Sequence, residues 1–288
     1  MRTLVTGHRG MVGQEVIRAL THAGHEVVGY DLVDGDDVLD YAHLLASATG
    51  CHAVIHLAAL DEEPDEHSEL SPRSIGSAPD IATTNIAGTR NVLAAAAQVG
   101  MKRVVFLSSV DVLGCFMGQG NPDYLPIDDY HPTNPKGPYA LSKLAAEDLC
   151  EEFTKTTGIP TICLRPPGVF DAATYAFIRT ARTENPEFEW SPFWEYGAFI
   201  DVADLAQAVL HALTEEIFGH HRLLVCAGDI SSSSEDSLQL AKRLLPDVPV
   251  HHPGQYKRHP FAALVDSSNA TALLRWVPQH SWRPTNAQ

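Results

Sequence analysis

Tyr139 and Lys143 stand four residues apart in the stretch Tyr139-Ala140-Leu141-Ser142-Lys143. Within a helix that spacing puts both side chains on one face. A phenol with a pKa of about 10 is a poor base at neutral pH. An adjacent ammonium stabilises the phenolate, so the tyrosine can exchange a proton with a substrate hydroxyl. About thirty residues upstream an apolar run ends in Ser108-Ser109. A hydroxyl at such a strand end can hold the substrate oxygen beside the tyrosine. Alone, the Tyr/Lys pair would equally describe an amphipathic helix with one snorkelling lysine.

A second constellation makes the chemical reading the stronger one. Gly7-His8-Arg9-Gly10-Met11-Val12-Gly13 is a GxxGxxG loop between a short apolar run and a helical pattern. Glycines let backbone N–H groups approach a pyrophosphate, and the helix N-terminus favours its charge. Gly7, Arg9, Gly10, Met11, Val12 and Gly13 are therefore candidate dinucleotide contacts. Asp31 ends the next apolar run, where a carboxylate can bond an adenosine ribose diol and repel a 2′-phosphate. That favours NAD. A guanidinium at Arg9 could meet a 2′-phosphate, which keeps NADP as the less favoured alternative.

The elements that must position these groups follow from periodicity. Short apolar runs at 3–6, 27–30, 53–57, 104–107 and 161–164 read as strands. Helical patterns occupy 12–20, 84–99 and 139–156 between them. Alternation of this kind predicts an α/β fold, a doubly wound parallel sheet covered on both faces. Two segments break the rhythm: the acidic stretch 61–80, and 118–138 with its five prolines, both read as loops. Beyond Phe170 the pattern loosens, with a helix expected at 201–213, a strand at 222–225 and a helix near 234–245. The expected division is a dinucleotide-binding domain over 1–168 and a small mixed α/β substrate lobe over 169–288, with 199–214 packing back on the first domain.

Composition narrows the partners. The chain has 288 residues, 36 acidic and 20 basic, for a net charge of −16. Its field repels phosphate polymers, so nucleic acid is not an expected partner. No apolar run reaches the ~18 residues that span a bilayer, so no membrane partner is expected. Five scattered cysteines without metal or disulfide spacing, and no leader-like segment, point to a cytoplasmic protein. The 15 histidines show no HExxH or comparable spacing, and no metal is expected. Arg179 and Arg182 lie one helical turn apart and could bind a carboxylate or phosphate, or form a solvated face. Trp190, Phe193, Trp194 and Tyr196 could stack on a sugar ring or pack a core.

Taken together, the motifs resemble the extended short-chain dehydrogenase/reductases, specifically the NAD-dependent epimerase/dehydratase group, as a short member with some likeness to uronate dehydrogenases. The resemblance rests on Gly7–Gly13, on Asp37-Val38-Leu39-Asp40 after a third strand, and on His56-Leu57-Ala58-Ala59. It extends through Asn85–Val92, Ser108–Gly114, Pro138–Lys143, Leu164-Arg165-Pro166, Phe199–Asp204 and Asp266–Pro278. It implies Ser109, Tyr139 and Lys143 as a catalytic triad. It places Asp37 and Val38 beside adenine, Leu57, Ala58 and Ala59 beneath the cofactor, and Pro166 to Val169 on the nicotinamide side. Val110 and Asp111 stand where dehydratases of the group carry Asp-Glu. Val110 then borders the substrate, and Asp111 occupies the place of a second acid/base.

The departures bear on the substrate. Nucleotide-sugar enzymes of the group often carry an arginine just before Phe199-Ile200; here Gly197-Ala198 stand there, and Gly168 replaces an asparagine. These absences favour a smaller polyol or sugar acid. Three readings stay open. The first is an epimerase or dehydratase acting on a sugar or nucleotide sugar by transient hydroxyl oxidation. The second is a simple dehydrogenase or ketoreductase on a small sugar or sugar acid. The third is a cofactor-binding regulatory protein without turnover. The resemblance also implies a homodimer joined through the helices at 84–99 and 139–156, with Phe153 among the contacts.

Overall fold

The computed structural model describes residues 1–61, 78–186, 188, 196–232 and 234–283. The elements in chain order are β1 (Arg2–Thr6), α1 (Met11–His22), β2 (Glu26–Tyr30), α2 (Tyr41–Ala48) and β3 (Ala53–His56). Then come α3 (Ala78–Ala82), α4 (Gly88–Val99), β4 (Arg103–Leu107), α5 (Gly137–Thr157), β5 (Thr161–Arg165) and β6 (Val169–Phe170). The remainder is α6 (Ala172–Glu184), β7 (Ile200–Asp201), α7 (Val202–Thr214), β8 (His220–Leu224), α8 (Ser237–Leu244), α9 (Gly254–Arg258) and α10 (Ser268–Leu274).

Six parallel strands form one sheet in the order β2-β1-β3-β4-β5-β8. Their period of two is visible in the core. Val5, Ile55, Val105 and Ile162 face one layer with Val16, Leu20, Leu205, Val209, Leu274 and Trp276 of α1, α7, α10 and the residues after it. Leu4, Val54, Val104 and Cys163 face the other, against Leu44, Val92, Ala96, Ala146, Cys150 and Phe153 of α2, α4 and α5. Side chains of adjacent residues therefore feed two separate cores, which is why these strands read as continuous apolar runs.

The structure corrects several boundaries. Among the described residues no strand lies between Tyr30 and Ala53. Asp31 instead caps a 3₁₀ turn over Leu32–Asp34 by accepting from the Val33 N–H, and Gly35 closes it at φ 91°. The expected strand at 222–225 begins at His220 and joins the main sheet against β5. The expected helix at 84–99 starts as a π-helical turn, Thr83–Ala87, before α4. Phe153, expected at a subunit contact, is spent in the chain's own core. Most of the acidic stretch, residues 62–77, lies outside the described residues, as do Trp190, Phe193 and Trp194.

A third core joins the proline-rich loop to the C-terminal region: Leu113, Phe116, Leu125 and Ile127 pack with Tyr196, Cys226, Ile230, Leu240, Tyr256 and Leu264. Backbone bonds from Leu125 to Pro249 and from Ile127 to Leu264 tie the loop down. This lobe stands beyond the carboxyl ends of β4 and β5, where ligands bind in open α/β sheets.

Candidate active site

The turn after β1 carries the glycine loop. Gly7 sits at φ 71°, and a Cβ there would come within 2.6 Å of the Ala58 backbone nitrogen. A Cβ on Gly13 would strike the carbonyl oxygen of Gly7. The loop is thus pressed against the strand-end segment Leu57-Ala58-Ala59, which is also held by the Leu57 N–H to the Thr6 carbonyl. Gly10 differs. Its Cβ side faces open space, with only the Gly7 carbonyl oxygen at 3.4 Å. Gly10 is also the N-cap of α1, no side chain caps it, and the first turn of α1, beginning at Met11 and Val12, contains no acidic residue. An uncapped helix end beside open space fits a pyrophosphate.

Three carboxylates, Asp31, Asp34 and Asp37, follow the end of β2. Asp31 accepts from the Arg9 N–H at 2.9 Å and from the Val33 N–H at 3.0 Å. Asp34 takes the Arg9 guanidinium through Nη2 at 2.6 Å and Nε at 2.9 Å, and lies 3.2 Å from His8 Nε2. Arg9 holds the Asp34 carboxyl below its usual pKa, and Asp34 raises that of Arg9. Asp37 caps its own turn by accepting from Leu39, and its carbonyl receives the Tyr30 hydroxyl. The backbone of Val38 is held by the Asn91 carboxamide, and its side chain packs over Gly88. The expectation that Arg9 stands free for a 2′-phosphate is corrected: its charge is taken by Asp34. Asp31, Asp34 and Asp37 together suit a ribose diol and oppose a 2′-phosphate, so the described residues fit NAD.

The reacting groups gather at the carboxyl ends of β4 and β5. Pro138 sits in the first turn of α5, where its missing N–H costs nothing, and the helix then carries Tyr139 and Lys143 inward. Lys143 is 3% exposed, donates to the Leu107 carbonyl at 2.7 Å and lies 5.4 Å from the centre of the Tyr139 ring. Burial pushes its pKa down to about 8, opposed by the charges of Asp61, Glu147 and Asp111. Ser109 is buried at the strand end. Its hydroxyl donates to Asp111 Oδ2 at 2.9 Å and accepts from the Asp111 N–H at 3.1 Å, capping the 3₁₀ turn Val110–Leu113. Val110 is buried and donates its N–H to the Pro166 carbonyl. Val169 pairs with Ile200 in the two-stranded ribbon of β6 and β7.

Of the basic pair on α6, Arg182 is buried, bonded to the carbonyl and hydroxyl oxygens of Ser231. Arg179 is exposed, its guanidinium 5.1 Å from the Trp282 ring centre. Among the described residues no group of three His, Cys, Asp or Glu side chains is placed to hold a metal ion.

Several residues with structural claims on the site stand in the sequence only as motif positions, with no role. Asn85, in the π turn, accepts from the Leu60 N–H at 2.8 Å and donates to the Leu60 carbonyl and to Ser142 Oγ. Ser142 in turn donates to the Tyr139 carbonyl. His56 bridges Thr6 and Thr89, and burial pushes its pKa down to about 3, so it is neutral. These bonds run from β1 through α4 to the catalytic helix. Apart from the Ser142–Tyr139 bond, their partners lie 25 to 57 residues apart, beyond any sequence period.

Comparison with known proteins agrees with this geometry. Residues 3–226 match the model of the NAD dependent epimerase/dehydratase family. The chain is 28% identical to a UDP-glucose 4-epimerase of Mycolicibacterium smegmatis, over 97% of this chain and 94% of that one. A short-chain dehydrogenase/reductase superfamily protein from Agrobacterium tumefaciens, solved with bound NAD, superposes with a TM-score of 0.70 at 21% identity, covering 98% and 94% of the two chains. A mutated uronate dehydrogenase gives 0.62 at 22% identity, covering 98% and 82%. With a matching model over most of its length, an NAD-fitting loop and a tyrosine–lysine pair at the sheet's carboxyl edge, this chain belongs to the NAD-dependent epimerase/dehydratase family of the extended short-chain dehydrogenase/reductases.

Proposed function

We propose that the protein oxidises a hydroxyl of a sugar or nucleotide sugar and returns the hydride to the same molecule, as an epimerase or dehydratase does. The observation that carries this is the contact between Ser109 and Asp111 at the strand end next to Lys143 and Tyr139. Ser109 holds the substrate oxygen, Tyr139 takes its proton, and Lys143 favours the phenolate. Asp111, within hydrogen-bond reach of the Ser109 hydroxyl, is the second acid/base, able to move a proton at a neighbouring carbon. The chemistry supplied by bound NAD is hydride acceptance and return. Gly7 to Gly13, Asp31, Asp37, Val38, Leu57 to Ala59, Pro166 and Val169 hold it.

A second reading, a simple dehydrogenase on a smaller sugar or sugar acid, is favoured by one observation. Gly197 sits at φ 61°, and a Cβ there would meet Ile230 Cβ at 2.8 Å. Ala198 beside it is buried. Neither place can carry an arginine to grip a diphosphate. In either reading we place the protein in the cytoplasm as a homodimer. The parts of 169–288 outside α7, β8 and α10 supply the substrate lobe, with Arg179 and Trp194 as candidate contacts.

A panel of free aldoses, uronates and UDP-sugars, followed by NADH absorbance and product NMR, separates the readings. Isomerised or dehydrated product without net NADH supports the first. Stoichiometric NADH supports the second. Turnover that survives undiminished in Tyr139→Phe removes both.

A further inference from the structure

Helix α5 grips two consecutive residues at the β4 end. Lys143 bonds the Leu107 carbonyl at 2.7 Å. One turn further along the same face, Glu147 accepts from Ser108 Oγ at 2.6 Å. The next residue is Ser109. Glu147 is fully buried, and Arg165 at the end of β5 is 2% exposed. Their contact is bidentate, Nε to Oε1 at 2.8 Å and Nη2 to Oε2 at 2.6 Å. Arg222 of β8 adds Nε at 3.3 Å from Oε2. One carboxylate therefore joins α5, β4, β5 and β8 beneath the site. Bidentate, charge-assisted bonds in a dry interior fix orientation far better than a lone neutral bond.

We infer that Glu147 is a positioning residue: through Ser108 it sets the register of Ser109 against Tyr139, and its charge helps keep Lys143 in the ammonium form. This rests on the assignment of Ser109, Tyr139 and Lys143 above. The ammonium faces Tyr139 and Glu147 on its own helix, His56 on β3, Asp61 before α3, Asp111 after β4 and Cys163 on β5. Glu147 faces Ser108, Arg165 and Arg222, with Cys163 also near. It thus serves as both a geometric peg and an electrostatic one, and the two can be separated. Ser108→Ala cuts the tie and leaves every charge in place. Glu147→Gln removes the charge and keeps an oxygen acceptor for Ser108.

The test measures turnover with the best substrate from the panel above, and the phenolate ultraviolet band of Tyr139 taken as the difference from Tyr139→Phe, both as functions of pH. Thermal melting and NAD affinity are followed alongside. Ser108→Ala should lower kcat by about tenfold, as a misplaced reacting group does, with unchanged pH limbs and NAD affinity. Glu147→Gln should move both limbs and the phenolate onset to lower pH by about one unit, because loss of a negative charge eases release of both protons. Glu147→Asp should restore the pH limbs but not kcat. Melting temperatures that fall while kcat stays within about twofold and the limbs stay put would show a purely structural pair and overturn the inference. If Glu147→Gln does not fold, Ser108→Ala and Glu147→Asp decide the matter alone. Turnover surviving in Tyr139→Phe would overturn the site assignment and this inference together. An inactive Tyr139→Phe beside unaltered Ser108 and Glu147 variants overturns the inference only.

Discussion

Lys143 is costly to the fold, and replacing it by methionine should show by how much. Its pKa is pushed from 10.5 to about 8 by burial. That is 2.5 units at about 1.4 kcal/mol each, or about 3 kcal/mol of destabilisation carried by the native state at neutral pH. The native state releases the proton near pH 8 and the unfolded chain near 10.5, so between these values the unfolded chain holds more protons. The penalty is therefore full below pH 8 and relieved as pH rises to 10.5. Lys143→Met removes it but leaves the Leu107 carbonyl without its donor, a loss of about 1 kcal/mol. The net expectation at pH 7 is a gain of about 2 kcal/mol, or roughly 6 °C in Tm for a chain of this size, with turnover abolished. At pH 10.5 the penalty is gone while the lost bond remains, so the variant should be the less stable by about 1 kcal/mol. Urea unfolding of cofactor-free protein at pH 7 and across pH 8 to 10.5 reads both values. A variant less stable at pH 7, or a gain that persists unchanged at high pH, would refute the reasoning.

Other perturbations give equally definite outcomes. Asp34→Ala frees the Arg9 guanidinium, and NADP should then bind about tenfold tighter while NAD changes little; fluorescence titration of both cofactors checks this, and an unchanged NADP affinity counts against the pairing as the discriminator. Asn85→Ala strands the N–H and carbonyl of half-buried Leu60 and takes one donor from the buried Ser142 hydroxyl. It should cost about 3 kcal/mol in urea unfolding. His56 is neutral in the fold, with its pKa lowered from 6.5 to about 3. Its contribution is fully present above pH 6.5 and is lost as pH falls towards 3, by up to about 5 kcal/mol. The stability of His56→Gln should accordingly fall less steeply between pH 6.5 and 4 than that of the parent chain.

The parts of the site that depend on local spacing were legible in the sequence. The Gly7–Gly13 loop and the Tyr139/Lys143 pair need only a strand, a turn and a helix period, and the structure sets the first between β1 and α1 and the second on α5. Ser109 was legible because it ends an apolar run. The pairings that tune these groups were not, because they join distant segments: Arg9 with Asp34 across 25 residues, Ser108 with Glu147 across 39, Asn85 with Ser142 across 57. The absence of a strand between β2 and Asp37 has a local cause that propensity hides. Asp31, Gly35 and Asp37 each turn the backbone through a side-chain bond or a positive φ, and a short apolar run such as Leu32-Val33 cannot overcome them. At the C-terminal end, β8 was displaced by two residues because His220 and His221 look polar, yet they lie in register with Thr161 and Ile162.

The close approach of Gly7 to Ala58, and of Gly13 to the Gly7 carbonyl, changes what a glycine signature testifies to. Both contacts are internal to the polypeptide, so either glycine would be demanded even of a descendant that had ceased to bind any dinucleotide. Gly10 alone of the three is open on its outer side. Mutational tolerance along this loop should therefore split. Small side chains at position 10 should give folded protein with weakened cofactor affinity, whereas substitutions at 7 or 13 should fail earlier, in expression and solubility. A relative that kept the outer two glycines and lost the middle one would be a fold that has outlived its cofactor.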